Sequence, residues 1–253
     1  MKFNNIFYIF FIFFLYFENV SSDEIKFNST NIKILEEGNI VTALNVEANI
    51  PDKKIKIEGD KSIYDKKNTN LTIINNVKFF DLLQDFYLES SKVIYDQSKD
   101  ILQTFGETFI KIENKYKVYS KDLVYNRKSK KIFTDKETII KDDKENVFNL
   151  DKNFIFDINK EVISADKTVI IDNNNNEYRF EKVKINLKNN EIAGKEIEIN
   201  FIDSFFGNPK NDPILKGKGT ISDKNKTKVY KAVFTTCNTE NKKCPGWEIQ
   251  SEE

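Results

Sequence analysis

Residues 86–112 read FYLESSKVIYDQSKDILQTFGETFIKI, and they form one copy of a unit that recurs across residues 55–202. Apolar and polar side chains alternate inside the unit, so that Phe86 and Leu88 are two residues apart. A period of two places alternate side chains on opposite faces of a strand. The unit is also rich in Ile, Val, Tyr, Phe and Thr, which favour strands. The sequence therefore predicts β-strands here, not helices.

The unit repeats with a nearly constant period. A dipeptide recurs at intervals of 31, 30, 31 and 31 residues, as Tyr64-Asp65, Tyr95-Asp96, Tyr125-Asn126, Phe156-Asp157 and Leu187-Lys188. Three further columns are in phase with it: Ser62, Val93, Leu123, Phe154 and Ile185; Leu71, Leu102, Ile132 and Ile163; Phe79, Ile110, Ile140, Ile171 and Ile202. A fixed period of this length indicates stacked units that bury their apolar faces against their neighbours.

Short polar runs separate the two strands of each unit, for example at residues 65–70, 96–100 and 126–130. Asn, Asp and Ser close tight turns there by bonding to their own backbone. The predicted fold class is therefore all-β, built from antiparallel hairpins with a period of about 31 residues. Two closures remain open, a sandwich or jelly roll with the columns inside and a flat solenoid stabilised by partners at its ends.

The apolar columns have two interpretations. They are ordinary core if the roll is closed, and they line a groove for an acyl chain if the roll is open. Both arrangements produce the same sequence pattern, so the sequence leaves the two open.

Residues 1–22 are predicted to be a secretory signal peptide. Lys2 gives a basic start, residues 6–17 are almost entirely apolar, and small residues precede Asp23. The apolar run is shorter than the roughly 20 residues that span a bilayer. An uncleaved anchor is the alternative, and in both cases the remaining chain lies outside the cytoplasm.

Composition argues against several functions. The 40 acidic and 40 basic residues balance, which argues against a nucleic-acid partner. The chain has no histidine, the usual general base and the commonest metal ligand, and no pair of carboxylates is distinct from the charged strand faces. We therefore expect no enzyme activity, no cofactor and no metal site.

The two ends of the repeat array are irregular. Residues 23–53 are predicted to be an atypical first unit whose open strand edge can accept another strand. After Ile202 the period is lost. We assign residues 23–202 to the roll and residues 203–253 to C-terminal strands with a cysteine- and tryptophan-containing junction.

Cys237 and Cys244 are the only cysteines. An even number in a secreted chain suggests a disulfide, whereas a zinc site needs about four ligands. The two cysteines pair with each other across a small loop, or with cysteines outside this chain.

The segment from Tyr230 to Cys237 ends in Phe-Thr-Thr-Cys, and Cys244-Pro245-Gly246-Trp247 follows it. This tail resembles the junction of the LptD family of lipopolysaccharide-assembly proteins, also called organic solvent tolerance proteins, where a Tyr/Phe-Thr-Ser/Thr-Cys strand and a Pro-Trp element lead into the outer-membrane barrel. The hairpin repeats resemble the family's OstA-like periplasmic domain, a β-jelly roll shared with LptA and LptC. Family members continue into the barrel, so the resemblance implies a chain truncated before it.

The resemblance implies a non-catalytic function in lipopolysaccharide transport and outer-membrane assembly, at the periplasmic face of the outer membrane. An LptA-like bridge would add to the N-terminal edge strand and deliver lipopolysaccharide, and an LptE-like lipoprotein would be a partner if the barrel is present. Family disulfides join the periplasmic domain to the barrel, so Cys237 and Cys244 are either unpaired here or paired with each other. The residues expected to line the acyl track are Phe86, Tyr95, Ile110, Tyr125, Ile140, Phe156 and Ile171. The alternatives are a soluble LptA-like shuttle and a structural scaffold that binds no lipid.

Overall fold

The computed structural model describes residues 24–201, 213–223, 225–235 and 249–251. Within them the chain forms nineteen strands and two short 3-10 turns, Glu36–Gly38 and Pro51–Lys53. The strands are β1 (Lys26–Asn28), β2 (Asn31–Leu35), β3 (Ile40–Ile50), β4 (Ile55–Asp65), β5 (Asn70–Asp81), β6 (Phe86–Asp96), β7 (Ile101–Ile112), β8 (Tyr116–Lys121), β9 (Val124–Asn126), β10 (Lys131–Thr134), β11 (Thr138–Lys141), β12 (Val147–Asp157), β13 (Val162–Ile171), β14 (Glu177–Asn186), β15 (Glu191–Asn200), β16 (Ile214–Ser222), β17 (Thr227–Tyr230), β18 (Val233–Thr235) and β19 (Ile249–Gln250). The predicted all-β fold is confirmed.

The strands form an antiparallel meander in which each strand pairs with its neighbours along the chain. β3 to β7 pair in sequence, and β12 to β16 do the same. Between these two blocks, β8 and β9 together act as one interrupted strand beside β7. β10 and β11 form the next interrupted strand, which pairs on its other side with β12. The predicted stack of antiparallel hairpins is confirmed.

The long strands bend at their centres. Residues there adopt the left-handed backbone region, including Asn45 in β3, Asn75 in β5, Gly106 in β7 and Asn153 in β12. The pairing register shifts at several of these places. Such bulges bend a strand and re-aim the side chains that follow. The interior side chains are therefore three or four residues apart across a bend, as at Ala43 and Val46 or at Ile73 and Val77, instead of two.

Because every bend lies at about the same level, the sheet folds over into two facing layers. Each long strand contributes one half to each layer. Layer 1 contains the short strands β1, β8, β11 and β18 and the halves of the long strands that pair with them or with one another beside them. Layer 2 contains the short strands β2, β9, β10 and β17 and the other halves. The layers share one apolar core. Tyr125 of layer 2 stacks on Phe86 of layer 1, with 4.3 Å between ring centroids. Of the two predicted closures, the folded-over roll is the one observed.

The repeat columns identify the interior, with slips in register near the C-terminal end. The columns that begin at Ser62 and at Leu71 are buried throughout. In the third column, however, Ile170 is buried and Ile171 lies on the opposite side of β13. The repeated dipeptide likewise continues at Ile185-Asn186 rather than at Leu187-Lys188, because Asn186 occupies the position that caps the turn. The spacing is 30 residues from Ile140 to Ile170 and 29 from Phe156 to Ile185, instead of the predicted 31, and the column that begins at Ser62 continues at Val183 by the same shift.

The polar member of the dipeptide caps the turn that follows it. The side chains of Asp65, Asp96, Asn126 and Asp157 each accept a hydrogen bond from the backbone N–H three residues later, at 2.9 to 3.1 Å. A local side-chain acceptor of this kind stabilises a tight turn. The repeat of Asp or Asn at this position thus fixes the length of each hairpin.

The sheet continues after residues 202–212, which lie outside the described residues, because β16 pairs with β15 over the length of both strands. β1 and β2 pair with β3 and with no other strand of the described residues, so they form the N-terminal edge. The predicted signal peptide and both cysteines lie outside the described residues.

Candidate functional site

The side of the roll where both layers end in turns is called the seam here. In its N-terminal half, a buried ion-pair cluster joins the layers. Arg127, in a turn of layer 2, donates from Nε to Asp81 at the end of β5 in layer 1, at 2.7 Å. Its Nη1 lies 2.8 Å from Asp100 in layer 2, and its Nη2 donates to the Lys53 carbonyl in layer 1 at 3.1 Å. The guanidinium thus connects three turns from both layers.

Two tyrosines and a lysine complete this cluster, which we call the polar latch (Lys53, Asp81, Tyr95, Asp100, Tyr125 and Arg127). The Tyr125 hydroxyl donates to Asp81 at 3.1 Å, and the Tyr95 hydroxyl donates to Asp100 at 2.6 Å. The Lys53 ammonium donates to the Gln97 carbonyl at 2.8 Å. Burial, with the adjacent carboxylates, raises the pKa of both tyrosines, so that their hydroxyls remain neutral donors. The latch closes this half of the seam.

Between the two halves of the seam, Glu161 of layer 2 links to layer 1 through Tyr116 and through Lys115, whose Nζ lies 3.8 Å away. Tyr116 at the start of β8 donates its hydroxyl to Glu161, in a turn of layer 2, at 2.9 Å. Burial raises the pKa of Tyr116, and the bond to Glu161 adds to this. Behind it, the Tyr116 ring packs edge-on against Phe156, with centroids 5.5 Å apart. This pair separates the latched region from the next one.

Beyond Tyr116 the layers separate and leave a cavity of about 380 Å³ between their ends. Its apolar walls come from Phe148, Ile170 and Tyr178 of layer 1 and from Ile185, Leu187 and Ile192 of layer 2. Because it lies between the two sheets and opens at the seam, it connects the apolar interior with solvent. Its inner walls are apolar, whereas its rim is polar and includes Asp142, Asp172, Asn190 and Thr227. A concave site that combines apolar walls with polar groups is typical of a ligand-binding pocket.

Two matching turns form the layer 1 rim of this cavity. In the first, Asp142 accepts bonds from the backbone N–H groups of Lys144 and Asn146 and from the Asn146 side chain. In the second, Asp172 accepts the equivalent bonds at Asn176 and also one from the Tyr178 hydroxyl, at 2.9 Å. These carboxylates are occupied by their own turns, so the rim is rigid and polar while the walls behind it are apolar.

The seven residues predicted to line an acyl track lie elsewhere in the roll. Six are almost completely buried in the common core, namely Phe86, Tyr95, Ile110, Tyr125, Ile140 and Phe156. The seventh, Ile171, is partly exposed beside the buried Ile170. None of the seven borders the cavity. Tyr95 and Tyr125 belong instead to the polar latch.

Of the latch residues, the sequence prediction included only Tyr95 and Tyr125, with a different role, and it included none of the cavity residues. One signal for the latch was present: the chain has only two arginines, Arg127 and Arg179, among 40 basic residues. Arginine is the residue suited to buried, multidentate pairing with carboxylates. The signal for the cavity was weaker. The residue that follows the capping Asp or Asn is polar in two units, Gln97 and Arg127, and apolar in the next two, Ile158 and Leu187.

Other candidate sites are not found in the part of the chain that the structure describes. Those residues include no cluster of acidic or cysteine side chains suited to a metal ion. They also contain no helix that is long and apolar enough to cross a membrane.

No protein-family model matches the sequence, and no curated protein matches it. One solved structure that matches is the crystal structure of LptH from Pseudomonas aeruginosa, described as the LptA-homologous periplasmic component of the conserved lipopolysaccharide transport device. The identity is 9%, the match covers 57% of this chain and 82% of LptH, and the TM-score is 0.24.

Proposed function

We propose that this chain is the periplasmic, non-catalytic domain of an LptD-like protein, and that it guides the acyl chains of lipopolysaccharide toward the outer membrane. The observation that carries the proposal is the apolar cavity between the two layers, open at the seam. The resemblance of the Cys237–Trp247 tail to the LptD junction supports the same assignment.

The cavity suits the end of an acyl chain better than a polar ligand. Ile185, Leu187 and Ile192 on one side face Phe148 and Ile170 on the other. Each methylene removed from water contributes roughly 0.8 kcal/mol. Since the rim carboxylates are engaged in their own turns, a charged head group would remain outside, at the seam, while the chain enters.

Of the seven residues named from the sequence, the six that lie in the core belong to this proposal as a second stage. Phe156 lies directly behind Tyr116, which borders the cavity. Displacement of the Tyr116 ring would give an acyl chain access to Phe156 and then to Ile140. In this proposal the cavity is the first contact and the core column is the continuation.

The test is photo-cross-linking to lipopolysaccharide with p-benzoylphenylalanine in place of Ile192, in the cavity. The matched control replaces Ile155, which lies on the outer face of the same layer and is 44% exposed. A lipid adduct at position 192 without one at position 155 is expected. Adducts at 155 alone would contradict an interior acyl site.

A delivering partner would dock at the N-terminal edge. β2 is exposed along its whole length and presents Ile32, Ile34 and Leu35. An open edge strand next to apolar side chains accepts a strand from another chain. The Ile34→Asp variant should lose binding to an LptA-like bridge, whereas Ile155→Asp should retain it; equal binding by both would exclude this edge.

A structural scaffold is the second candidate, and the packed, latched N-terminal half favours it. In that case β2 would still bind a partner, but Ile192 would capture no lipid. The two experiments together therefore separate a conduit from a scaffold.

A further inference from the structure

A second depression, of about 850 Å³, lies on the outer face of layer 2 in the C-terminal half. Five lysines surround it, and we call it the lysine basin: Lys182, Lys184, Lys195, Lys218 and Lys231. It is separate from the interior cavity, since Ile192 points inward and its neighbour Ala193 points outward on the same strand. Neither the transport proposal nor the sequence repeat accounts for it.

The basin is concave because small residues occupy the middle of the sheet face. One row across the strands runs from Ser164 through Lys184 and Ala193 to Ile221. The adjacent row runs from Asp166 through Lys182, Lys195 and Gly219 to Tyr230. Ala193 and Gly219 therefore form a low floor between long side chains on both sides.

The charges around the basin are not balanced. Lys182 lies 4.0 Å from Asp166, and Lys218 lies 3.1 Å from Glu196. Among the described residues, Lys184, Lys195 and Lys231 form no ion pair. Lys182 and Lys195 are directly opposite each other on neighbouring strands. Like charges in that position destabilise a sheet, and a bound anion would relieve the repulsion.

The basin also has an apolar wall. Ile221 and Tyr230 are 56% and 43% exposed, although both lie beside the floor. An inorganic anion would leave this wall in water. A ligand that combines an anionic group with an apolar body would instead cover the wall and reach the lysines.

Another depression, on the outer face of layer 1 in the N-terminal half, has the opposite charge. It measures about 820 Å³, and Asp60, Glu89 and Glu107 border it together with one lysine, Lys78. The acidic depression provides a matched negative control within the same molecule.

We propose that the lysine basin is a binding site for an anionic amphiphile, a molecule with a phosphate or carboxylate group attached to a short apolar chain. Lys182, Lys184 and Lys195 bind the anionic group through charge-assisted hydrogen bonds. Ile221 and Tyr230 cover the apolar chain. The site lies on the outside of the roll and does not require the interior cavity to bind lipid.

The test is an NMR titration of the purified protein with monododecyl phosphate below its micellar concentration. The expected result is shifts of the amide signals of Ala193 and Gly219, with no shifts at the acidic depression. The Lys182→Gln/Lys195→Gln variant should weaken binding at least about tenfold, because bonds to charged groups are the stronger class. The control Lys78→Gln/Lys117→Gln, on layer 1, should leave it unchanged.

A second variant tests the shape of the basin without altering its charge. Ala193→Trp fills the floor from an exposed position and should abolish the shifts at Gly219 while the protein remains folded. Equal affinity for inorganic phosphate and for monododecyl phosphate would overturn the amphiphile assignment. Shifts confined to Phe148 and Ile170 would place the ligand in the interior cavity and would also overturn it. The cross-linking result at Ile192 is independent of either outcome.

Discussion

The seam is closed in one half of the roll and open in the other, although both halves use the same hairpin. The first residue of the layer 2 turns shows the difference. Gln97 and Arg127 occupy this position in the latched half, and Ile158 and Leu187 occupy it in the half with the cavity. In all four, the backbone N–H donates to a carbonyl of the preceding layer 2 turn at 2.9 to 3.1 Å. The backbone hydrogen bond is therefore the same in all four units. The side chain at this position differs: it is polar where the seam is closed by ion pairs and apolar where the seam is open.

The two closures have different physical consequences. A buried ion pair is costly to desolvate and contributes specificity of geometry more than net stability. It also demands one arrangement of the turns, since Arg127 must reach Asp81 and Asp100 together. Apolar side chains at an opening accept many ligand positions. The latched half is thus suited to holding the layers at a fixed distance, and the other half to admitting a flexible chain.

The largest effect is expected from removing the latch cation. Arg127→Met leaves Asp81, whose side chain is completely buried, without a cation, and leaves Asp100 with only Lys53, at 4.0 Å. Removing one partner of a buried pair typically costs about 3–5 kcal/mol. Urea unfolding of the variant should show a loss of this size.

The matched control is Lys99→Met, which removes an ion pair with Asp96 whose lysine is 71% exposed. Exposed pairs contribute about 0.2–1 kcal/mol, so the control should unfold close to the native midpoint. Equal losses from Arg127→Met and Lys99→Met would mean that the latch does not hold the layers together.

The second prediction compares packing in the two halves through the same substitution. Ile132 is completely buried beneath the latched region, and Ile192 borders the cavity. Ile132→Phe overpacks a filled core and should cost about 1–3 kcal/mol. Ile192→Phe has free volume beside it and should change the free energy of unfolding by less than about 0.5 kcal/mol.

Thermal unfolding of both variants measures this difference. The Ile192→Phe variant should in addition reduce lipid cross-linking from neighbouring cavity positions, because the new ring occupies the space. If the two substitutions cost the same, the cavity is not open volume in solution.

The strand order and the interior of the roll follow from the sequence because the repeat supplies the same information several times. The columns beginning at Ser62 and Leu71 are both interior in the structure. The bends were not predicted, since a strict period of two does not describe an interior step from Ile73 to Val77. Their signal was the Asn and Gly residues in mid-strand, such as Asn75 and Gly106, which tolerate the left-handed backbone.

The latch and the cavity were beyond prediction for a different reason. Asp81 and Arg127 are 46 residues apart and belong to different layers. Their contact depends on how far the sheet twists before it folds over, and no local pattern records this. The slip of one residue at Ile171 shows the same limit, because a small change in unit length moves a residue to the other face.

The smallest effect concerns the turn column, which continues through both halves. Burial tends to raise the pKa of Asp96, but bonds from the Lys99 side chain, the Lys99 N–H and the Ser98 hydroxyl outweigh it and lower the pKa from 3.8 to about 2. A depressed pKa contributes stability above pH 3.8 that is lost as the pH falls toward 2. Asp96→Asn keeps the backbone cap but loses the charge. It should cost about 0.2–1 kcal/mol at pH 7, and the free energy of unfolding should fall less steeply between pH 4 and 2.

Asp157→Asn is the counterpart in the other half, where Lys160 Nζ lies 3.9 Å from the carboxylate instead of 2.7 Å. Its effect, measured by urea unfolding across this pH range, should be smaller because the ion pair is longer; equal effects would show that the lysine side chain does not determine the stability of these turns.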